Sequence, residues 1–283
     1  MNGNRISILS CLVLVLVSLF MMMPILVMVA TSLKYEEAVF INPFQWIPHR
    51  ICWENYPNVI QKYPFAVYLK NSLIVSITAT TLNLFLSSLA GYSLAKFHYK
   101  GRDIIFAAII VMLLLPHQAI VVPLFIVMSS IRLTDSLWTV ILPCVTSPFA
   151  IFFMRQYFLS IPSSIMEAAR VDGASEWQIY WKIVLPQAKP ALATLGIFGF
   201  MFNWNNFLWP LIALKSESEF TIPLGISMMH GEYSTPYNEL MAAAVIASVP
   251  VLLAYFILQN KFIHSMVITT YPAGGKARHE KTH

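Results

Sequence analysis

Six stretches of this chain hold no Asp, Glu, Lys or Arg: 6–33, 71–95, 104–131, 136–154, 190–214 and 240–260. Each is close to or longer than the roughly 20 residues an α-helix needs to cross the hydrocarbon of a bilayer. No water is available there to bond backbone N–H and C=O groups, so a spanning segment has to satisfy them itself, and a run of this length does so as a helix. Composition agrees, with 58% hydrophobic and only 11% charged residues, against roughly 25% charged in soluble chains. These runs predict an all-α membrane protein of six spans, at about 7–31, 71–95, 104–130, 137–157, 191–213 and 241–262, in a single domain over 1–283. The first run is far longer than the apolar core of about 7–15 residues in a secretory signal, so it is expected to stay as an uncleaved span.

The charges between the runs are distributed by side. With the N-terminus inside, the cytoplasmic segments 1–5, 96–103, 155–189 and 261–283 carry 12 of the 18 Lys and Arg. This bias predicts both termini in the cytoplasm. It also accounts for the net charge of +5 without a nucleic-acid partner. Outside, segment 34–69 mixes prolines with Trp46, Trp53, Tyr56 and Tyr63, rings suited to a membrane interface. Segment 215–239 sets Glu217, Glu219, Glu232 and Glu239 against Lys215, a solvated acidic loop by charge alone. Cys11, Cys52 and Cys144 are too scattered for a disulfide or metal framework.

The stretch 161–191, IPSSIMEAARVDGASEWQIYWKIVLPQAKPA, is a polar island between two long apolar runs. Ser164 with Glu167 three residues on reads as a capping box, opening a short helix through Ala168, Ala169 and Val171. Asp172-Gly173 supplies a left-handed terminator. Ser175 with Gln178 repeats the capping pattern, so a second helix should carry Trp177, Ile179, Tyr180 and Ile183 to Leu185-Pro186. Two capped helices between spans make a compact docking knob.

Glu167-Ala168-Ala169, then Gly173, Ile183 and Leu185-Pro186, resemble the EAA loop of bacterial ABC-importer permeases. The wider text, with WNNFLWPLI after it, is similar to the maltose-type carbohydrate permeases, and a looser likeness runs from Trp53-Glu54-Asn55-Tyr56 to the last span. The resemblance implies a type I importer permease fold in a bacterial inner membrane. It implies a second permease subunit, two ATPase subunits below that bind the ATP, and an extracytoplasmic solute-binding protein above. Glu167, Ala168, Ala169, Asp172 and Gly173 would then contact the ATPase, supported by Ser164, Ile183, Leu185 and Pro186. The solute would be a sugar, polyol, oligosaccharide or glycerol phosphate.

Several spans carry polar groups. Asn203, Asn205 and Asn206 crowd the fifth, and three amides there cannot all face lipid unsatisfied. They either pack helices or line a pathway. The family resembled usually has aspartate where Asn206 stands. His117 and Gln118 beside Pro116 form a second polar point. Gly274-Gly275-Lys276 has no strand before it or helix after it, so it is no phosphate-binding loop, and no catalytic or metal motif is present. The spans also lack the carboxylates and cations of ion-coupled transporters, so energy is expected to arrive through the Glu167 loop. An intramembrane enzyme or channel, with His117, Gln118 and the asparagines as its site, is the competing reading.

Overall fold

The computed structural model describes residues 2–41, 43–229 and 235–270, with side chains described for 10–41, 43–116, 118–229 and 235–256. No strand occurs among the described residues. In chain order the helices are α1 (Asn2–Ser32), α2 (Asn55–Lys62), α3 (Phe65–Lys96), α4 (Arg102–Leu113), α5 (His117–Ser130), α6 (Leu137–Ile141), α7 (Pro148–Ser160), α8 (Ser163–Val171), α9 (Glu176–Gln187), α10 (Lys189–Trp204), α11 (Leu208–Ala213), α12 (Ile222–Ser227) and α13 (Tyr237–Thr270). Four stretches are long and apolar enough to cross a bilayer: Ser10–Ser32, Phe65–Lys96, Leu137–Ser160 and Tyr237–Phe256. The bent pairs α4–α5 and α9–α10 bring the number to six if each is one span.

Three of the expected spans are not single straight helices; the fourth is α6 and α7, with residues 142–147 between them. The third is α4 and α5, bent by 110° across Leu114–Pro116. Pro116 has no N–H to donate and disfavours helix at the residue before it, and it sits extended at φ −67°, ψ 132°. The fifth stops at Trp204 and restarts as α11 at Leu208.

Contacts divide the chain into two compact units. The first comprises residues 1–70 and 220–250. Its α1 leaves apolar side chains exposed from Leu12 to Val29, as a helix bathed in lipid would. The polar face of α2 organises the rest of this unit. Buried Asn55 donates to the carbonyls of Ser32 and Lys34, both at 2.8 Å, and accepts from Asn238 at 2.9 Å. Two turns along, Lys62 is paired with Glu239, whose carboxylate is buried in the first turn of α13. That bond raises the Lys62 ammonium above its ordinary value. The segment 215–239 is therefore not a uniformly solvated acidic loop. Burial of Glu239 is compensated by a cation and a helix N-terminus, both of which favour a carboxylate. Glu219 likewise accepts the Leu137 N–H at 3.1 Å, while Glu232 and the tail from residue 271 on lie outside the described residues.

The second unit holds residues 71–219 and 251–283. At one end Asp135, itself at φ 61°, accepts the N–H groups of Lys215 and Ser216 at 2.8 Å and the Ser216 hydroxyl at 2.5 Å. These bonds hold its carboxyl below the usual range. At the other end a core joins Tyr92 and Ala95 of α3 to Met154 and Phe158 of α7, Met166 and Ala169 of α8, Tyr180 and Val184 of α9, and Ala191 and Leu195 of α10. Gly91 allows α3 and α7 to meet there: a Cβ at this position would lie 2.7 Å from Met154 Cβ and 2.9 Å from the Arg155 nitrogen. On the α10 side of α3, a Cβ at Gly196 would meet only Leu84 Cδ1, at an ordinary 3.6 Å.

This contrast sets a stability test. Overpacking a close helix contact costs about 1–3 kcal/mol, so Gly91→Ala should lower the melting temperature of the detergent-solubilised protein by several degrees. Gly196→Ala should leave it unchanged. Equal melting temperatures for the two variants would show that the α3–α7 contact yields freely.

Candidate functional site

Helix α8 starts at Ser163, with Pro162 in the capping position at φ −59°, ψ 132° and no side chain capping the start. The capping box expected from Ser164 and Glu167 does not form. The helix begins two residues earlier, directly after the proline, which puts Ser164 inside the first turn instead of ahead of it. The rest of α8 divides by face. Met166 and Ala169 are buried in the core with Ile161, whereas Ser164, Glu167, Ala168, Val171 and Asp172 are exposed. Those five positions follow the i, i+3, i+4, i+7, i+8 pattern of one helical face. Ala169 was expected on the docking face; its place is in the core, because it lies one helical turn from Met166 and 100° around the axis from Ala168. Val171, an apolar side chain 88% exposed, was not singled out, although the helical period applied to Glu167 and Ala168 points to it.

Gly173 ends the helix as the sequence predicts, at φ 83°. Its N–H donates to Arg170 O at 3.0 Å and that of Ala174 to Ala169 O at 2.9 Å, the paired bonds of a Schellman turn. A Cβ at Gly173 would meet nothing within 4 Å, so the requirement for glycine comes from φ and not from crowding. Beyond the turn the second capping box is formed: Ser175 N–H donates to Gln178 Oε1 at 2.9 Å, and Gln178 N–H to Ser175 Oγ at 3.4 Å. Arg170 also grips Glu176 through two bonds, 2.6 and 3.2 Å long. Both side chains are about two-fifths exposed, so this clasp sets the angle between α8 and α9 more than it adds stability.

Ile179–Val184 within α9 is a π-helical turn. It lies immediately before Pro186, whose missing N–H and ring remove the ordinary bond to the Lys182 carbonyl. The wide turn buries Ile179, Tyr180 and Val184, with Ile183 and Leu185 packed at the core's edge, while Pro186 is exposed. Tyr157 Oη bonds the Gln187 carbonyl at 2.9 Å and Lys96 Nζ bonds the Ile161 carbonyl at 2.6 Å. The start of the loop is thus tied to α3 and its end to α7. A bend of 74° then leads into α10.

The asparagines sit where α10 ends. Asn203 is buried and donates to Thr80 Oγ1 of α3 at 3.2 Å. Asn205 caps the helix, its N–H and its side-chain amide both reaching the Met201 carbonyl at 3.1 and 2.8 Å. The N–H of half-buried Asn206 bonds Asn203 O at 3.3 Å. His117 opens α5 at the other helix break, its side chain outside the described residues, and Gln118 beside it is exposed. The sequence placed these polar groups in mid-span; the structure places each group at a helix break.

Residues 84–267 match the family model described as "Binding-protein-dependent transport system inner membrane component". The arabinooligosaccharides transport system permease protein AraQ of Bacillus subtilis (strain 168) is 39% identical over 206 residues, covering 72% of this chain and 73% of the relative. The lactose transport system permease protein LacG of Rhizobium radiobacter is 37% identical over 197 residues, covering 70% and 72%. The sn-glycerol-3-phosphate transport system permease protein UgpE of Yersinia pestis is 29% identical over 274 residues, 94% and 98% of the two chains. Among solved structures, a chain of a bacterial ABC transporter that imports the acidic polysaccharide alginate superposes with a TM-score of 0.83 at 25% identity, covering 93% of this chain and 98% of that one. A helical membrane architecture, a capped two-helix loop between spans and a family match across that loop agree, and the chain belongs to the family of inner-membrane components of binding-protein-dependent transport systems.

Proposed function

We propose that this chain is a permease subunit of an ATP-driven, binding-protein-dependent importer, and that α8 and α9 are its contact with a separate ATPase. The observation that carries this reading is the exposed stripe of Glu167, Ala168, Val171 and Asp172 on a short helix whose other face is fixed in the core. An exposed valine between a small residue and two carboxylates suits insertion into a groove on a partner. The Lys and Arg bias puts this stripe in the cytoplasm with both termini. The chain would pair with a second, similar permease subunit around a shared pathway. Two ATPase subunits would hold the ATP and an extracytoplasmic protein would deliver the solute. The solute class is a sugar or related molecule, as the arabinooligosaccharide, lactose and glycerol-phosphate relatives support. Closure of the ATPases would swing the loop as a rigid body and expose the pathway alternately to each side. The breaks at Asn203–Asn206 and at His117-Gln118 fit this role. Irregular backbone at membrane depth is tolerated only where protein or a wet cavity surrounds it.

Three outcomes test these assignments. Gly173→Leu forces a branched side chain into a left-handed position, at about 1–2 kcal/mol, and adds bulk beside the docking stripe. Losing an interface anchor costs about 2 kcal/mol or more, a factor of roughly 30 in association. The variant should reach the membrane but lose its ATPase or its solute-stimulated hydrolysis, assayed with lactose, glycerol 3-phosphate and arabinooligosaccharide. Normal values for both would exclude α8 as the contact. For sidedness, in a chain with Cys11, Cys52 and Cys144 replaced, Ser175→Cys should react with impermeant thiol reagents only from the cytoplasmic face and Trp46→Cys only from the opposite face. For the pathway, Asn206→Leu should reduce uptake while the complex still assembles; parallel loss of assembly and uptake would assign the residue to helix packing.

A further inference from the structure

The buried hydroxyl pair Tyr180–Ser88 lies outside the docking stripe and outside the asparagine cluster, yet it joins the two. Tyr180 sits in the π-helical turn of α9, 2% exposed. Its ring packs against Tyr92, Trp177 and Trp181 at centroid distances of 5.3, 6.2 and 5.3 Å. Its hydroxyl is 2.7 Å from that of Ser88 on α3. Ser88 has one proton, and it is directed at the Phe85 carbonyl 2.9 Å away, so Tyr180 donates and Ser88 accepts. From Ser88 the same helix runs two turns to Thr80, which accepts from Asn203 at 3.2 Å. Below Ser88 the α3 face continues through Gly91, against Met154 and Arg155, and Tyr92, against Phe158, to Lys96, bonded to Ile161 O. Helix α3 therefore touches the loop at Ser88, Tyr92 and Lys96, and the end of α10 at Thr80.

We infer that Tyr180 is a positioning residue that passes the loop's movement to α3 through Ser88, and through α3 to Asn203. This rests on the reading of α8 as the ATPase contact. Three features set the hydroxyl pair apart from ordinary packing. It is buried on both sides, so the bond between α9 and α3 is directional. It arises from a π-helical turn, a feature of helices that recurs at functional positions. It also leaves Ser88 satisfied by Phe85 when the tyrosine hydroxyl is removed, so Tyr180→Phe breaks the link without orphaning a buried group, whereas Ser88→Ala strands the phenol.

The test uses the complete importer, permeases with ATPases, in proteoliposomes, and a nucleotide-driven readout on α3. Thr81→Cys, in a chain without native cysteines, reports the rate of reaction with a methanethiosulfonate with and without the non-hydrolysable analogue adenylyl imidodiphosphate. With Tyr180 intact, the rate should change on adding the analogue. Tyr180→Phe should shrink that change about three- to tenfold, the range a single hydrogen bond supplies. ATPase co-purification should stay as it was, and the melting temperature should fall by no more than the few degrees that one hydrogen bond supplies. The double variant Tyr180→Phe, Ser88→Ala should respond no less than Tyr180→Phe alone. A Thr81→Cys rate that ignores nucleotide with Tyr180 intact would rule out α3 as the moving element. A full response in Tyr180→Phe, additive losses in the double variant, or loss of the ATPase from Tyr180→Phe would each overturn the assignment. Gly173→Leu separates the two levels. If it keeps its response, the α8 reading fails; if it alone loses the response, only the role of Tyr180 fails.

Discussion

The structure depends on how backbone groups are satisfied where a helix stops inside a bilayer. An unbroken span such as α3 meets the demand by itself, but each broken one frees carbonyls that water cannot reach. Here side chains supply the missing donors. Asn205 returns its amide to the Met201 carbonyl, Asn83 reaches the Cys144 carbonyl at 3.2 Å beside the gap between α6 and α7, and Trp209 Nε1 bonds the Thr139 carbonyl at 2.9 Å. Lys96 does the same for Ile161 at the foot of α3. These polar side chains thus meet carbonyl groups at or beside helix ends.

Rigidity on one face of the 161–191 loop permits exposure on the other. A nine-residue helix is marginal alone in water, and α8 persists because Met166 and Ala169 enter the same core as Phe158, Tyr180 and Val184. The Schellman turn at Gly173 and the capping box at Ser175 fix the direction of the chain between the two short helices. In the first unit, the buried contacts of α2 show the same economy. Asn55 spends both donors and its acceptor on Ser32, Lys34 and Asn238, while Lys34 lays its buried ammonium 3.6 Å over the Phe44 ring, and burial pushes that ammonium below its usual range.

What was legible in the sequence were the features with a local cause. Charge-free runs of span length mark helices because hydrocarbon allows no other solution, the Lys and Arg distribution predicts a side, and Gly173 and the Ser175–Gln178 pair announce their turns through residue types that suit few other conformations. The exposed stripe of α8 was half legible: the helical period selects Glu167, Ala168, Val171 and Asp172 together, whereas Ala169, grouped with Ala168 by residue type, is buried in the core. Only the tertiary structure decided the rest. Whether Pro116 kinks a span or ends it depends on the groups around it, and so does whether three asparagines pack helices or close one. The start of α8 moved by two residues because Pro162 could take the capping position without help from Ser164. The tie between Tyr180 and Ser88, 92 residues apart in the chain, has no local signature at all, since a tyrosine and a serine on two apolar helices become a pair only when packing of the core brings those two faces together.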